Sequence, residues 1–422
     1  MTIFIEKTKK NISKKRKKLR YFAFAIMSGL FIEFVFGNIS NEFWIDTVRA
    51  SENLSMYSGS YALTDGKTGR VLTGKEADSP MANASTTKIL TCIVTLENCK
   101  LEEVVTISSN AASQPRVRLG MQEGERYPLK DMLYGLMLES YNDCAVAIAE
   151  YVAGSTESFA EMMNAKAKEI GCVDTYFITP NGLDAEDEIG YHHTTARDLC
   201  RIMAYCTWES PQRQIFLQIT QTRNFVGNAN GKNYSFVNHN AFLNQMEGVL
   251  TGKTGFTNKA GYCYVAALER NGERYCIALL ACGWPNNKNY KWHDARTLFE
   301  YGIENYDIKT VKVKAIDGQL EVDGYTNKSV FSDLNYPQNL QLYATEREYE
   351  VLLAENETLK AEVVFEKNIQ LPIQEDEKIG VGRVYLGDIL LDEYEILTRD
   401  NARAWDLPRI WREIISQFFT FS

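Results

Sequence analysis

The chain has 422 residues, of which 45% are hydrophobic and 24% charged, with 23 Tyr and 20 Phe. That is ordinary globular composition for about two to three domains, and it excludes wholesale disorder and fibrous repeats. No uncharged apolar run reaches the ~18 residues of a membrane-spanning helix, which excludes a multi-span membrane protein. The net charge of −9 is unevenly spread: residues 1–20 carry nine Lys/Arg against the single acid Glu6, so this segment is +8 and the other 402 residues are −17. An acidic body does not suit a nucleic-acid groove, which needs clustered basic charge.

Behind the basic run comes the apolar stretch Tyr21 to Ile32, then Glu33 and Phe34-Val-Phe36. A positive segment followed by a short apolar one reads as a signal peptide or N-terminal anchor over residues 1–37. Lys and Arg stay on the cytoplasmic side, so everything beyond residue 37 is expected to face outward, exported and membrane-associated. Val48-Arg49-Ala50 is the nearest small-x-small cleavage pattern.

Ser60 to Thr64 and Arg70 to Thr73 flank Asp65-Gly-Lys-Thr-Gly69, a hairpin with Gly-rich turn chemistry. Ser85 to Leu96 is apolar nearly all round, which predicts a buried central helix. Further helices are expected over Leu129–Leu138 and Asp143–Val152, joined at Glu139-Ser-Tyr-Asn142, and over Thr195–Tyr205. Short strands follow Gly248, over Val249–Phe256, Tyr262–Leu268 and Arg274–Cys282, and Trp292 to Tyr306 closes this portion as a helix. From about Asp307 the pattern changes to period-2 alternation (Val311/Val313, Leu320/Val322, Leu340/Leu342), which predicts a separate all-β module. Finally Leu407, Ile410, Trp411, Ile414, Ile415, Phe418 and Phe419 recur at helical spacing, with Pro408 in the first turn, an amphipathic helix over 405–422. The nine cysteines are odd in number, show no CxxC and sit mostly in apolar runs, where Cys behaves as a small hydrophobe. They form neither a disulfide framework nor a zinc site. His192, His193 and His293 read as structural, without a third metal ligand nearby.

Three short motifs stand in order: Ser85-Thr-Thr-Lys88, Ser140-Tyr-Asn142 and Lys253-Thr-Gly255. Ser85 and Lys88 share one helix face. A lysine among Ile, Leu, Cys and Val is desolvated, which favours the neutral amine, and a neutral amine beside a serine hydroxyl is a general base beside its nucleophile. A helix start also offers backbone N–H groups to a developing oxyanion. Ser140 and Asn142 lie where one helix ends and the next begins, a place that can present a hydroxyl and an amide. Gly255 would let the backbone approach a ligand closely, and Lys253 with Thr254 could bind a carboxylate. Ser51-Glu-Asn53, Ser108-Ser-Asn110 and Lys67-Thr-Gly69 also fit two of the patterns and are read as decoys, Lys67 lying in a turn.

Together the three motifs resemble the S-x-x-K, S-x-N and K-T-G set of serine penicillin-binding proteins and β-lactamases. The strings Arg118-Leu-Gly-Met121, Leu133 to Leu138, Pro180 to Asp184, His193 to Leu199 and Lys253 to Gly261 look like the D-alanyl-D-alanine carboxypeptidase branch. The resemblance spans roughly residues 50 to 400. It implies an α/β (α+β) architecture: a β-lactamase/transpeptidase-like catalytic domain over 50–306, with an antiparallel sheet flanked by helices, plus a small β-rich domain over 307–400. By resemblance, Ser85 attacks the penultimate D-Ala carbonyl of a peptidoglycan stem pentapeptide, Lys88 activates Ser85, and Ser140 relays a proton. Asn142 holds the substrate amide, Lys253 and Thr254 bind the terminal carboxylate, and the N–H groups of Ser85 and Phe256 form the oxyanion hole. No metal or cofactor is implied. β-Lactam antibiotics are the implied inhibitors, and the 405–422 helix is expected to meet the membrane surface.

Two departures stand out. Many relatives carry Gly where this chain has Tyr141, and some carry an Arg upstream of K-T-G where the nearest candidate here is His239. The other readings are a β-lactamase, with Glu186 or Glu188 as deacylating base, and an inactive wall-binding scaffold.

Overall fold

The computed structural model describes residues 54–322, 338–366, 369, 371–403, 411 and 415. The expected leader over 1–37, the Ser51-Glu-Asn53 match and all but two residues of the 405–422 helix lie outside the described residues.

The first half is built on a five-stranded antiparallel sheet with the order β2-β1-β9-β8-β7, formed by β1 (Ser60–Asp65), β2 (Val71–Lys75), β7 (Val249–Thr257), β8 (Gly261–Arg270) and β9 (Glu273–Leu280). The middle strands β8 and β9 are apolar without alternation because both faces are covered. Val265, Ala267, Cys276, Ala278 and Leu280 pack into a helical layer with Ile89, Leu90, Ile93 and Ala145. Tyr264, Ala266, Leu268, Ile277 and Leu279 pack on the other face against Ala295, Leu298 and Phe299. The helical layer holds α1 (Lys88–Asn98), α2 (Leu129–Tyr134), α3 (Asn142–Ala153), α4 (Thr156–Glu169), α5 (Ala196–Ala204) and α6 (Arg213–Gln221); α7 (Tyr290–Asn305) lies on the opposite face. This three-layer arrangement buries a two-sided sheet between helices.

Local chemistry sets several boundaries. Thr195 caps α5, its Oγ1 accepting the Asp198 N–H at 3.0 Å. The expected helix over Leu129–Leu138 is two elements: α2 gives way at Gly135 to a π-turn over Gly135–Glu139, and the chain leaves it through Ser140 in left-handed conformation (φ 66, ψ 33). Gly135 fits there because a side chain would press on the Tyr141 ring and Cys144 Sγ. The buried helix expected from Ser85 begins instead as a 3-10 turn, Ala84–Thr87, and turns α-helical at Lys88. Helices α4 and α6 and the hairpin β5 (Asn224–Ala229) with β6 (Lys232–Val237) are additions to the elements expected from sequence. The two short strands β3 (Val104–Thr106) and β4 (Arg126–Pro128) pair with each other.

Among the described residues seven strands follow α7. β10 (Tyr306–Val313) pairs with β13 (Arg347–Ala354). β11 (Ile316–Val322), β12 (Gln338–Ala344), β16 (Ile389–Thr398), β15 (Lys378–Leu386) and β14 (Lys360–Phe365) form a second five-stranded sheet. Its core of Leu340, Leu342, Ile379, Val384 and Ile396 is the inward half of the period-2 pattern. The β1–β2 turn grips this region: Arg70 bonds Glu357 at 2.8 Å and the Leu352 carbonyl at 2.8 Å, and Lys67 Nζ donates to the Glu350 carbonyl at 3.1 Å. The Lys67-Thr-Gly69 decoy is therefore a docking turn, folded on Asp65, which accepts from the Lys67 N–H and Thr68 Oγ1. Ser108, in the other described decoy, caps a short helical turn through the Ala111 N–H. All nine cysteines are free thiols. Among the described residues no helix is long and apolar enough to cross a membrane.

Candidate active site

Ser85 sits in the 3-10 turn and Lys88 opens α1. In a 3-10 turn residues three apart eclipse one another, so the spacing Ser85-x-x-Lys88 stacks the two side chains, and Lys88 Nζ lies 2.8 Å from Ser85 Oγ. Lys88 is fully buried. Its amine has two other neighbours, donating to Asn142 Oδ1 at 3.0 Å and to the main-chain carbonyl of Asn181 at 2.6 Å. Burial drives its pKa well below the ordinary lysine value, and the charge of Lys253 pushes the same way. A neutral amine has two N–H bonds and one lone pair. The two carbonyl oxygens take the N–H groups, and the lone pair is left for the Ser85 hydroxyl.

Asn142, the first residue of α3, is buried, and its side chain is doubly used: Oδ1 receives Lys88, while Nδ2 donates to the Pro115 carbonyl at 3.2 Å. Its own N–H donates to the Val117 carbonyl at 2.8 Å. Next to it, the buried Asp143 carboxylate collects the N–H groups of Leu119, Gly120, Met121 and Cys144. The 115–121 segment is thereby tied to the start of α3. Asn142 thus fixes the Lys88 amine, a contact beyond the substrate amide expected from sequence.

Ser140 presents a hydroxyl that is buried without a hydrogen-bond partner. A buried unsatisfied hydroxyl is costly, and a residue held at positive φ is strained; Ser140 combines both.

Edge strand β7 supplies the third motif. Lys253 is buried, and its amine donates to the Thr254 carbonyl at 3.0 Å. Burial lowers its pKa to about 7. Thr254 is half-buried, and Phe256 is 38% exposed with its ring against Tyr262. Gly255 packs on the nucleophile turn: a Cβ there would stand 2.9 Å from Ser85 N, 3.0 Å from Asn83 O and 3.1 Å from Ala84 Cβ. The close approach expected to serve a ligand is made to the protein's own backbone, and it brings the Ser85 N–H against the strand that carries the Phe256 N–H.

Three groups emerge only from the structure. The Asn181 carbonyl carries no side-chain signature, although Pro180-Asn-Gly182 is a turn string. Gly182 (φ +79) is required, since a Cβ would fall 2.0 Å from Ala84 O. The third group is the pair Thr87–His192, bonded at 2.9 Å. His239, the sequence candidate for a carboxylate contact, is engaged otherwise: its Nε2 bonds Glu139 at 2.8 Å, and Glu139 also accepts the Val237 N–H. Glu186 and Glu188 are exposed in the 184–191 loop, and neither bonds Ser85, Lys88 or Ser140.

Comparison with known proteins gives a consistent result. The sequence pattern described as D-alanyl-D-alanine carboxypeptidase matches residues 46–281, more than half of the chain. The chain is 28% identical over 341 residues to the D-alanyl-D-alanine carboxypeptidase DacF of Bacillus subtilis, covering 79% of this chain and 83% of the relative. It is 31% identical to DacB2 of Mycobacterium tuberculosis, covering 58% of this chain and 81% of the relative. Among solved structures, the D-alanyl-D-alanine carboxypeptidase DacD from Francisella tularensis superposes with a TM-score of 0.63 at 21% identity, covering 84% of this chain and 95% of that one. That last likeness concerns the fold, including the sheets that follow α7.

Proposed function

Because this chain belongs to the D-alanyl-D-alanine carboxypeptidase family of serine-type hydrolases, we propose that it is an exported enzyme that removes the terminal D-alanine of peptidoglycan stem pentapeptides through an acyl-enzyme on Ser85. The observation that carries this reading is the Lys88 amine shared between Ser85 Oγ, Asn142 Oδ1 and the Asn181 carbonyl.

In the proposed reaction Ser85 Oγ attacks the penultimate D-Ala carbonyl while its proton passes to the Lys88 lone pair. The oxyanion forms between the N–H groups of Ser85 and Phe256, which need no reorganisation to receive it. The C–N bond breaks as Lys88 returns the proton through Ser140 to the leaving nitrogen, and D-Ala departs. Water then attacks the ester, gives its proton to neutral Lys88, and Ser85 is released as the hydroxyl. Lys253 and Thr254 hold the terminal carboxylate, an assignment supported by the buried Lys253 amine, which among the described residues donates to the Thr254 carbonyl alone. Gly255 contributes by letting β7 lie on the Ser85 turn.

The same serine takes penicillin as an acylating inhibitor. The leader over 1–37 directs export, residues 50–306 form the catalytic domain and 307–400 the β-rich domain, and the 405–422 helix lies on the outer membrane surface. A β-lactamase would need a deacylating base, and Glu186 and Glu188, exposed and without a hydrogen bond to Ser85 or Lys88, argue against one in that loop. The test is to give the purified protein a stem pentapeptide and, separately, penicillin. Release of one alanine together with a long-lived penicillin adduct is expected; rapid turnover of penicillin without alanine release would overturn the assignment.

A further inference from the structure

The turn that carries Ser85 is strained. Ala84, immediately before the nucleophile, has φ +48, a region an L-residue occupies at a cost and only when the surroundings impose it. The groups that impose it can be traced. Thr87 Oγ1 donates to the Ala84 carbonyl at 2.9 Å, bridging the ends of the turn. That hydroxyl accepts from Asn83 Nδ2 at 2.9 Å and meets His192 Nε2 at 2.9 Å. The direction of the last bond follows from the other ring nitrogen. His192 Nδ1 faces the N–H groups of Ile178 (3.0 Å) and Thr179 (3.3 Å), so it accepts; the ring proton lies on Nε2 and is donated to Thr87. Burial, with the charges of His193 and Lys88 adding to it, lowers the ring's pKa to about 3, which keeps the ring neutral, and the two N–H groups facing Nδ1 fix the tautomer. Thr87 Oγ1 then accepts twice and donates once, its full capacity.

The two ends of the ring hold different parts of the site. Nε2 reaches the turn before Lys88. Nδ1 anchors the start of the 178–182 segment, whose Asn181 carbonyl receives Lys88 at 2.6 Å and whose Pro180 carbonyl receives Thr91 Oγ1 at 2.6 Å. We propose that His192 is a positioning residue, a neutral clamp that fixes the spacing between the Ser85 turn and the Asn181 carbonyl and so sets the separation of nucleophile and base. This rests on the acylation of Ser85 proposed above.

The experiment measures penicillin acylation under single turnover, separating non-covalent affinity from the acylation rate, in Thr87→Val, Thr87→Ser, His192→Asn and the double variant Thr87→Val/His192→Asn. Asn at 192 keeps an acceptor at the Nδ1 position and removes the link to Thr87; Val at 87 keeps the shape and removes the hydroxyl. Misplacement of reacting groups by an ångström costs on the order of 100-fold. The acylation rate is therefore expected to fall about 10- to 100-fold in Thr87→Val and His192→Asn with little change in affinity. Thr87→Ser should recover most of the rate lost in Thr87→Val, and the double variant should be no slower than the worse single one, because each single variant already removes the bond between Thr87 and His192. Folded variants that acylate at the wild-type rate, or losses that multiply in the double variant, would overturn the clamp while leaving the functional reading intact. Should His192→Asn fail to fold, His192→Gln, which keeps a donor near the Nε2 position and loses the Nδ1 acceptor, is measured in its place with the same loss expected. Absence of a Ser85 adduct in the wild-type protein would overturn both.

Discussion

The Lys88 amine donates to the main-chain carbonyl of Asn181 at 2.6 Å, and this contact, with the one to Asn142, decides what the amine can do. Two carbonyl oxygens occupy its N–H groups, so the lone pair faces Ser85. Lys88→Arg keeps N–H donors but replaces a neutral amine by a guanidinium that stays charged at accessible pH and offers no lone pair. Acylation by penicillin is expected to fall at least about 100-fold, the scale of a lost general base, with the fold retained by circular dichroism. An arginine variant acylating near the wild-type rate would show that Lys88 is not the base.

Two buried lysines with opposite requirements in the proposed reaction should set the pH profile. Lys88 must be neutral to accept the Ser85 proton, and burial lowers its pKa, so activity is lost on the acid side as pH falls through that value. Lys253 must be charged to hold a carboxylate; its pKa is about 7, so in the free enzyme that charge is present below about pH 7 and lost above it. Accordingly kcat/KM for a pentapeptide should decline above about pH 7, while kcat declines at higher pH because the bound carboxylate stabilises the charged amine. A peptide with its terminal carboxylate amidated should lack the basic limb. A basic limb near the ordinary lysine value for the free enzyme would contradict the assignment.

Gly255→Ala tests the contact between β7 and the nucleophile turn. The added methyl would meet Ser85 N, Asn83 O and Ala84 Cβ between 2.9 and 3.1 Å, all of them parts of one turn. An expected loss of about 100-fold in acylation follows from displacing Ser85. A stopped-flow acylation rate within about twofold of wild type would show that the turn tolerates the shift.

The tail offers a physical test of location. Trp411 and Ile415, four residues apart in sequence, are 61% and 49% exposed, as the expected contact with the interface of a bilayer requires. The protein without its leader should sediment with liposomes, and removal of residues 405–422 should abolish this. Equal sedimentation of both forms would contradict a membrane-surface helix.

Much of this molecule is legible in its sequence. The Ser85–Lys88 spacing, the apolar runs of β8 and β9 and the alternation of β11 and β12 each reflect a side-chain period that the backbone imposes. Less legible are features made by backbone or by distance along the chain. The Asn181 carbonyl leaves no residue signature, and the left-handed Ser140 follows from a π-turn that a helical period does not reveal. His192 looks structural because its partner Thr87 is 105 residues away, and His239 is spent on Glu139 across 100 residues. Helix α4 does carry a signal, with Ser155 accepting the Ser158 N–H as cap and Phe159, Met163 and Ala167 buried at four-residue spacing. The long polar face of α4 masks that stripe.

The central claim is that Ser85 forms the covalent bond. Peptide mass spectrometry of the protein after brief exposure to penicillin tests it most directly. The account predicts a single adduct on the peptide containing Ser85, absent in Ser85→Ala; an adduct on another residue, or one that persists in Ser85→Ala, would contradict it.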